Sequence, residues 1–184
     1  MLRRGDQLMV QRQIFGCSGT EMTPDEAAFY KEADPWGFIL FARNLETADQ
    51  IRRLTDDVRN AVARDAPVLI DQEGGRVARL TPPNWTEWED ALPYLESMPE
   101  AMRPDAMTLR SRVIAAELRS LGIDVNCAPL GDVAQDDSHP VIKNRCYSRD
   151  AEEVALIGRA VADGLLAGGV LPVLKHIPGH GRAT

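Results

Sequence analysis

A short apolar run followed by a stretch of helical periodicity recurs four times in this chain, and that repetition limits its possible folds more than any other feature. Gly37-Phe-Ile-Leu-Phe41 is the first run. Behind it Thr47 stands as an N-cap with Gln50 three residues on, and Ile51, Leu54, Val58 and Val62 share one helical face. Pro67-Val-Leu-Ile70 is the second. After a long proline-containing stretch, Leu109, Ile114, Leu118 and Leu121 mark its helix, which stops at Gly122. Ile123 to Ala128 is the third; Asp150 and Glu153 open a helix whose inner face is Val154, Ile157, Val161 and Leu165, closed by Gly168-Gly169. Val170 to Leu174 is the fourth, with Pro172 removing one ladder donor. Ahead of them all, Thr23-Pro24-Asp25-Glu26 combines an N-cap, a first-turn proline and a capping-box glutamate, which predicts a short helix before the first strand.

Strands alternating with helices imply a parallel sheet covered by its crossover helices, closed either as a doubly wound sheet or as a barrel. The first strand runs into Ala42-Arg43-Asn44, where a dinucleotide fold would carry its glycine fingerprint. Polar residues gather instead just after the strands, at Arg43-Asn44, Asp71-Gln72-Glu73, Asp132 and Lys175-His176, which is where barrel enzymes place their sites. The barrel is therefore favoured, and four units are half of an eight-unit barrel. Residues 1–13 read as a loose N-terminus. Residues 14–184 read as the N-terminal part of one barrel domain, stopping after the fourth strand.

Composition narrows the partners. The 184 residues carry 21 Lys plus Arg against 28 Asp plus Glu, a formal charge of −7, which argues against a chain built to neutralise nucleic acid phosphates. Cys17, Cys127 and Cys146 are odd in number and far apart, with no C-x-x-C pair, so a reduced, cytoplasmic setting is expected. Polar residues after Arg3-Arg4 interrupt any signal-like apolar region, and nothing approaches the ~20 apolar residues of a membrane span. No membrane partner is expected, and oligomeric state is not legible.

Two passages at strand ends hold the chemistry: Asp71-Gln-Glu-Gly-Gly-Arg-Val77, with Arg79 close behind, and Lys175-His-Ile-Pro-Gly-His-Gly181. Gly74-Gly75 lets the chain turn away sharply while Asp71 points inward. A carboxylate there can accept from neighbouring sugar hydroxyls, and Lys175 can donate to the same polyol. A lysine ending an apolar strand must reach water or a partner. Glu73 is read as structural, His139 as solvated, and Cys127 and Cys146 as small packing residues. His176 and His180 have the i, i+4 spacing of helical zinc ligands, but Pro178 and Gly179 between them oppose a helix. His180 is expected to brace the loop by bonding backbone groups.

At these residues the chain resembles the bacterial β-N-acetylglucosaminidases of glycoside hydrolase family 3, in their cytoplasmic peptidoglycan-recycling branch. The likeness lies in D-Q-E-G-G-R-V at Asp71–Val77, K-H-I-P-G-H-G at Lys175–Gly181, the Lys143-Asn144-Arg145 turn and W-G-F-I-L-F at Trp36–Phe41. It implies a TIM-type (β/α)8 barrel, of which this chain gives about the first four βα units. It also implies retaining hydrolysis of terminal β-linked N-acetylglucosamine without metal or organic cofactor. Asp71, Arg79, Arg145, Lys175 and His176 match family positions that hold the non-reducing sugar. The family's acid/base histidine and nucleophilic aspartate are expected beyond Thr184, so residues 1–184 alone would bind a saccharide or muropeptide without turning it over. Two other readings stand beside it: a metal-dependent barrel hydrolase using His176 and His180, and a non-catalytic half-barrel that binds sugar or assembles with another chain.

Overall fold

The computed structural model describes residues 11–181. Five strands, β1 (Gln11–Gly16), β2 (Pro35–Leu40), β3 (Val68–Ile70), β4 (Val125–Asn126) and β5 (Leu171–Pro172), pair in parallel in the order of the chain. The helices are α1 (Pro24–Ala33), α2 (Ala48–Val62), α3 (Ala91–Glu96), α4 (Arg103–Ser120), α5 (Pro140–Lys143) and α6 (Ala151–Ala167). The described residues thus form a sequential parallel run of βα units, the strand order that half of a barrel has. One strand differs from the sequence expectation: Gln11–Gln13, read as loose, belong to β1, where Gln11 lies opposite Pro35 and Ile14 opposite Gly37. Residues 1–10 of that expected loose segment lie outside the described residues. The run at 170–174 is consequently the fifth strand, and the first βα unit is β1 with α1.

Local chemistry explains where the helices begin. Thr23 accepts from the Glu26 amide while Glu26 reaches back to the Thr23 amide, a complete capping box at the start of α1. Thr47 caps α2 through the Gln50 amide, and Asp150 caps α6 through the Glu153 amide. The α6 face Val154, Ile157, Val161 and Leu165 is buried as its spacing predicts, each side chain contributing about 1.5–3 kcal/mol relative to exposure. On α4 the expected face is buried at Ile114, Leu118 and, just past the helix, Leu121, while Leu109 is exposed and Met107 and Arg110 point inward in its place.

Close approach of α4 and α6 depends on glycine. A Cβ built on Gly164 would overlap the Thr108 carbonyl oxygen and lie 2.8 Å from the Ser111 Cβ. Alanine there gains helix propensity of about 1 kcal/mol but overpacks the crossing by about 1–3 kcal/mol. Gly164→Ala is expected to lower the melting temperature of the intact protein by several degrees; an unchanged melt would show that the helices part without cost.

The two ends of the sheet differ in chemistry. Before β3 and β4, Arg59 donates to the carbonyls of Ala66 and Gly122 and pairs with Asp124, whose carboxylate accepts from the Val68 amide at 2.7 Å. These contacts tie loops together on the stability face of such folds. Beside α6 and β5 runs an apolar groove of about 500 Å³, lined in part by Pro129, Val154, Gly158, Ala162 and Leu174. It lacks convergent polar groups; those lie at the carboxyl ends of the strands. Among the described residues no helix is long and apolar enough to cross a membrane.

Candidate active site

Immediately after β3 the chain is folded back by Gln72, a fully buried side chain. Its Oε1 accepts from the amides of Arg79 and Leu80, its Nε2 donates to the Leu80 carbonyl, and its main chain exchanges two hydrogen bonds with the Asn126 side chain of β4. An amide side chain with both donors and acceptors is needed for this double role. The staple returns Arg79 to the residue where the loop began: Arg79 Nη2 lies 3.2 Å from Asp71 Oδ2. The other oxygen of Asp71 accepts from Lys175 Nζ at 2.8 Å, from a residue 104 positions away. Burial raises the pKa of Asp71, but the hydrogen bonds and charges of Lys175 and Arg79 outweigh it and hold the carboxyl below its ordinary range.

Glu73 sits at the centre of the cation cluster, its side chain 6% exposed. Arg145, on the turn after α5, grips it with Nε at 2.9 Å and Nη2 at 2.8 Å, while Lys175 Nζ reaches Glu73 Oε1 at 2.5 Å. A planar guanidinium on a carboxylate is the geometry in which two hydrogen bonds form at once. Burial lowers the Arg145 pKa and the Glu73 pairing more than reverses it, so the guanidinium is held above its usual value. Arg145 therefore pairs with Glu73, 72 residues away. The packing that makes Glu73 structural also places it between two of the expected sugar-binding residues.

The Lys175–Gly181 loop is anchored by Asp132, whose side chain is entirely buried. One oxygen lies 2.6 Å from His176 Nδ1, and the other accepts from the main-chain amides of His180 and Gly181. Burial raises this carboxyl's pKa; the His176 contact and the two amides override that and depress it. With Nδ1 committed to Asp132, His176 turns Nε2 toward Arg145 Nη2 at 3.5 Å. The His180 main-chain amide, not its ring, is the group bonded to Asp132. The His180 ring stands edge-on to the His176 ring with centroids 5.8 Å apart.

The structure thus brings Asp71, Arg79, Arg145, Lys175 and His176 into one cluster at the carboxyl ends of β3 to β5. Sequence reasoning gave Asp132 no role, although its position just beyond β4, among polar residues at strand ends, was the available signal. The tryptophans of the β3–α4 connection pack inward: Trp85 lies against the core and Trp88 stacks on Arg110. At Cys127 burial, then the Asp71 charge, push the thiol up, which disfavours a thiolate. Among the described residues, no three His, Cys, Asp or Glu side chains are grouped to hold a metal ion.

Comparison with known proteins places this arrangement. A beta-hexosaminidase of Methylococcus capsulatus is 38% identical over 168 residues, which span 91% of this chain and 49% of that protein. A crystal structure of NagZ from Neisseria gonorrhoeae in complex with zinc ion superposes with a TM-score of 0.86 at 29% identity, over 93% of this chain and 52% of that one. A second structure of that protein, in complex with N-trifluoroacetyl-D-glucosamine, gives a TM-score of 0.84 at 30% identity over 93% and 50%. The chain spans about half the length of the relatives it matches. Residues 4–184 match the glycosyl hydrolase family 3 N-terminal domain, and with the same parallel βα architecture and these relatives the chain belongs to that family.

Proposed function

We propose that this chain supplies the sugar-gripping half of a β-N-acetylhexosaminidase that removes terminal non-reducing N-acetylglucosamine by a retaining mechanism. The observation that carries the reading is the meeting of Asp71 with both Arg79 and Lys175 at the strand ends. Each Asp71 oxygen already accepts one charged donor and keeps lone pairs for neighbouring hydroxyls. Lys175 Nζ has given two of its three hydrogens to Asp71 and Glu73, leaving one for the ligand. Arg79 keeps 28% of its side-chain surface exposed beside Asp71, and His176 offers Nε2. Arg145 acts mainly by fixing Glu73. The cluster balances its three acids, Asp71, Glu73 and Asp132, against Arg79, Arg145 and Lys175, which suits a neutral polyol.

The contribution of these residues to rate is orientation: several hydrogen bonds hold the ring so that groups on other loops meet the anomeric carbon. In a retaining reaction one of those groups attacks that carbon and the other protonates the leaving oxygen, then deprotonates water. In this reading neither is one of the five gripping residues. The relatives' name, beta-hexosaminidase, and the glucosamine derivative bound by the Neisseria protein support a terminal N-acetylglucosamine as the sugar; glucosaminyl-anhydromuramyl peptides as the whole substrate rest on the resemblance of Asp71–Val77 and Lys175–Gly181 to the peptidoglycan-recycling branch. The intact protein should hydrolyse a chromogenic β-N-acetylglucosaminide, and should act on the matching β-glucoside at least ~100-fold more slowly. A correctly folded intact protein that hydrolyses neither, and does not bind N-acetylglucosamine, would remove the assignment.

A further inference from the structure

Beneath the Gly74-Gly75 turn lies a cation that the sugar-binding cluster does not use. Arg110, in the middle of α4, is 4% exposed, with its guanidinium 5.2 Å from the Trp88 ring centre and 5.3 Å from that of Tyr94. Both of its acceptors are main-chain oxygens: Nη2 donates to Glu73 at 3.2 Å and to Glu89 at 2.7 Å. Its Nε is buried without any acceptor. Taking a guanidinium out of water is unfavourable unless its surroundings offset the loss, and an aliphatic side chain could fill the space between two rings without that penalty. What the cation adds is a tie between the main chain at residue 73 and the main chain at residue 89.

The carbonyl it holds belongs to the residue whose carboxylate holds Arg145 and Lys175. Approach is possible only because residue 74 is glycine: at its φ of +98° a side chain is strained, and a Cβ there would overlap Arg110 Nη2 and Trp88 Cβ. The next amide, of Gly75, is held by the Trp88 carbonyl at 2.8 Å, so the whole turn is seated on the segment that Arg110 secures. We infer that Arg110 is a positioning residue: by fixing the Glu73 main chain from below, it sets the place of the Glu73 carboxylate and, through it, of Arg145 and Lys175. Its effect on sugar binding rests on the function proposed above; its effect on the Glu73–Arg145 pair does not.

The test uses the intact protein and two readouts. In wild type the Arg145 Nε–H proton, engaged by Glu73, should exchange slowly with solvent in nitrogen-edited NMR spectra. Arg110→Met, which fills the gap between the rings without a donor, is expected to speed that exchange about tenfold and to raise the dissociation constant for N-acetylglucosamine about tenfold, as a small displacement of binding groups would. Arg110→Lys keeps the charge, reaches one carbonyl instead of two, and should fall between; it serves alone if the methionine variant does not fold. Unchanged exchange and affinity with only a lower melting temperature would make Arg110 a brace and overturn the inference. Faster exchange in the variant, together with a wild type that never binds the sugar, would uphold the positioning role and remove the saccharide reading.

Discussion

Asp132→Ala is expected to destabilise the protein by about 3–5 kcal/mol, the usual range when one member of a buried charged cluster is removed. The carboxylate is wholly buried and accepts from His176 Nδ1 and from the amides of His180 and Gly181. Alanine strands all three donors and frees the loop that carries His176. Asp132→Asn keeps the volume but turns an N–H toward donors, and should lie between alanine and wild type. Denaturant unfolding of the intact protein measures both; a loss below about 1 kcal/mol would show that the loop is held by other contacts. The sign with pH follows from the depressed pKa of the folded state. Asp132 contributes fully above the unfolded carboxyl value near ~3.9 and loses its contribution as pH falls through the lower folded value. Stability attributable to Asp132 should therefore be flat from pH 7 to about 4 and decline only below that, and the decline should shrink in Asp132→Asn.

Asp71→Asn should weaken binding of N-acetylglucosamine by about 10–100-fold, since a hydrogen bond to a charged group is worth about 1.5–3 kcal/mol and the amide keeps only one of the carboxylate's two acceptor oxygens. The substitution has a second effect in the same direction. An amide cannot accept from both Arg79 and Lys175, which are 3.2 and 2.8 Å from the two carboxylate oxygens, without presenting its own N–H to one of them. Titration calorimetry decides the matter: an Asp71→Asn protein that binds the sugar like wild type would take Asp71 out of the binding site. Unfolding of the same variant should show a smaller effect than Asp132→Ala, because Asp71 keeps 20% of its side-chain surface and water can partly replace the carboxylate.

Periodicity and capping were sufficient to read α1, α2 and α6 with their starts, because Thr23, Thr47 and Asp150 carry local signals that tertiary packing leaves intact. β1 was illegible for a physical reason. Its Gln11-Arg12-Gln13 segment is an exposed edge held by main-chain hydrogen bonds, and those leave no hydrophobic pattern. Leu109 misled because an amphipathic reading assumes that leucine wins the inner face, whereas α4 buries Arg110 there. At the site, the strand-end positions of Asp71, Lys175 and His176 were readable as such. The partners were not: that Arg145 meets Glu73 and that Asp132 meets His176 are consequences of a sheet register joining residues 72 and 44 positions apart.

The strand order carries a consequence for how the molecule is made. Every strand's neighbour in space is also its neighbour along the chain, so a polypeptide emerging from the ribosome can add βα units one after another, each onto a finished edge. The Asp71–Lys175 contact spans 104 residues and must await the last of them. Until β5 docks, Asp71 and Glu73 are acids without their lysine. The growing chain can therefore hold most of its hydrophobic interior before it has any capacity to recognise a ligand.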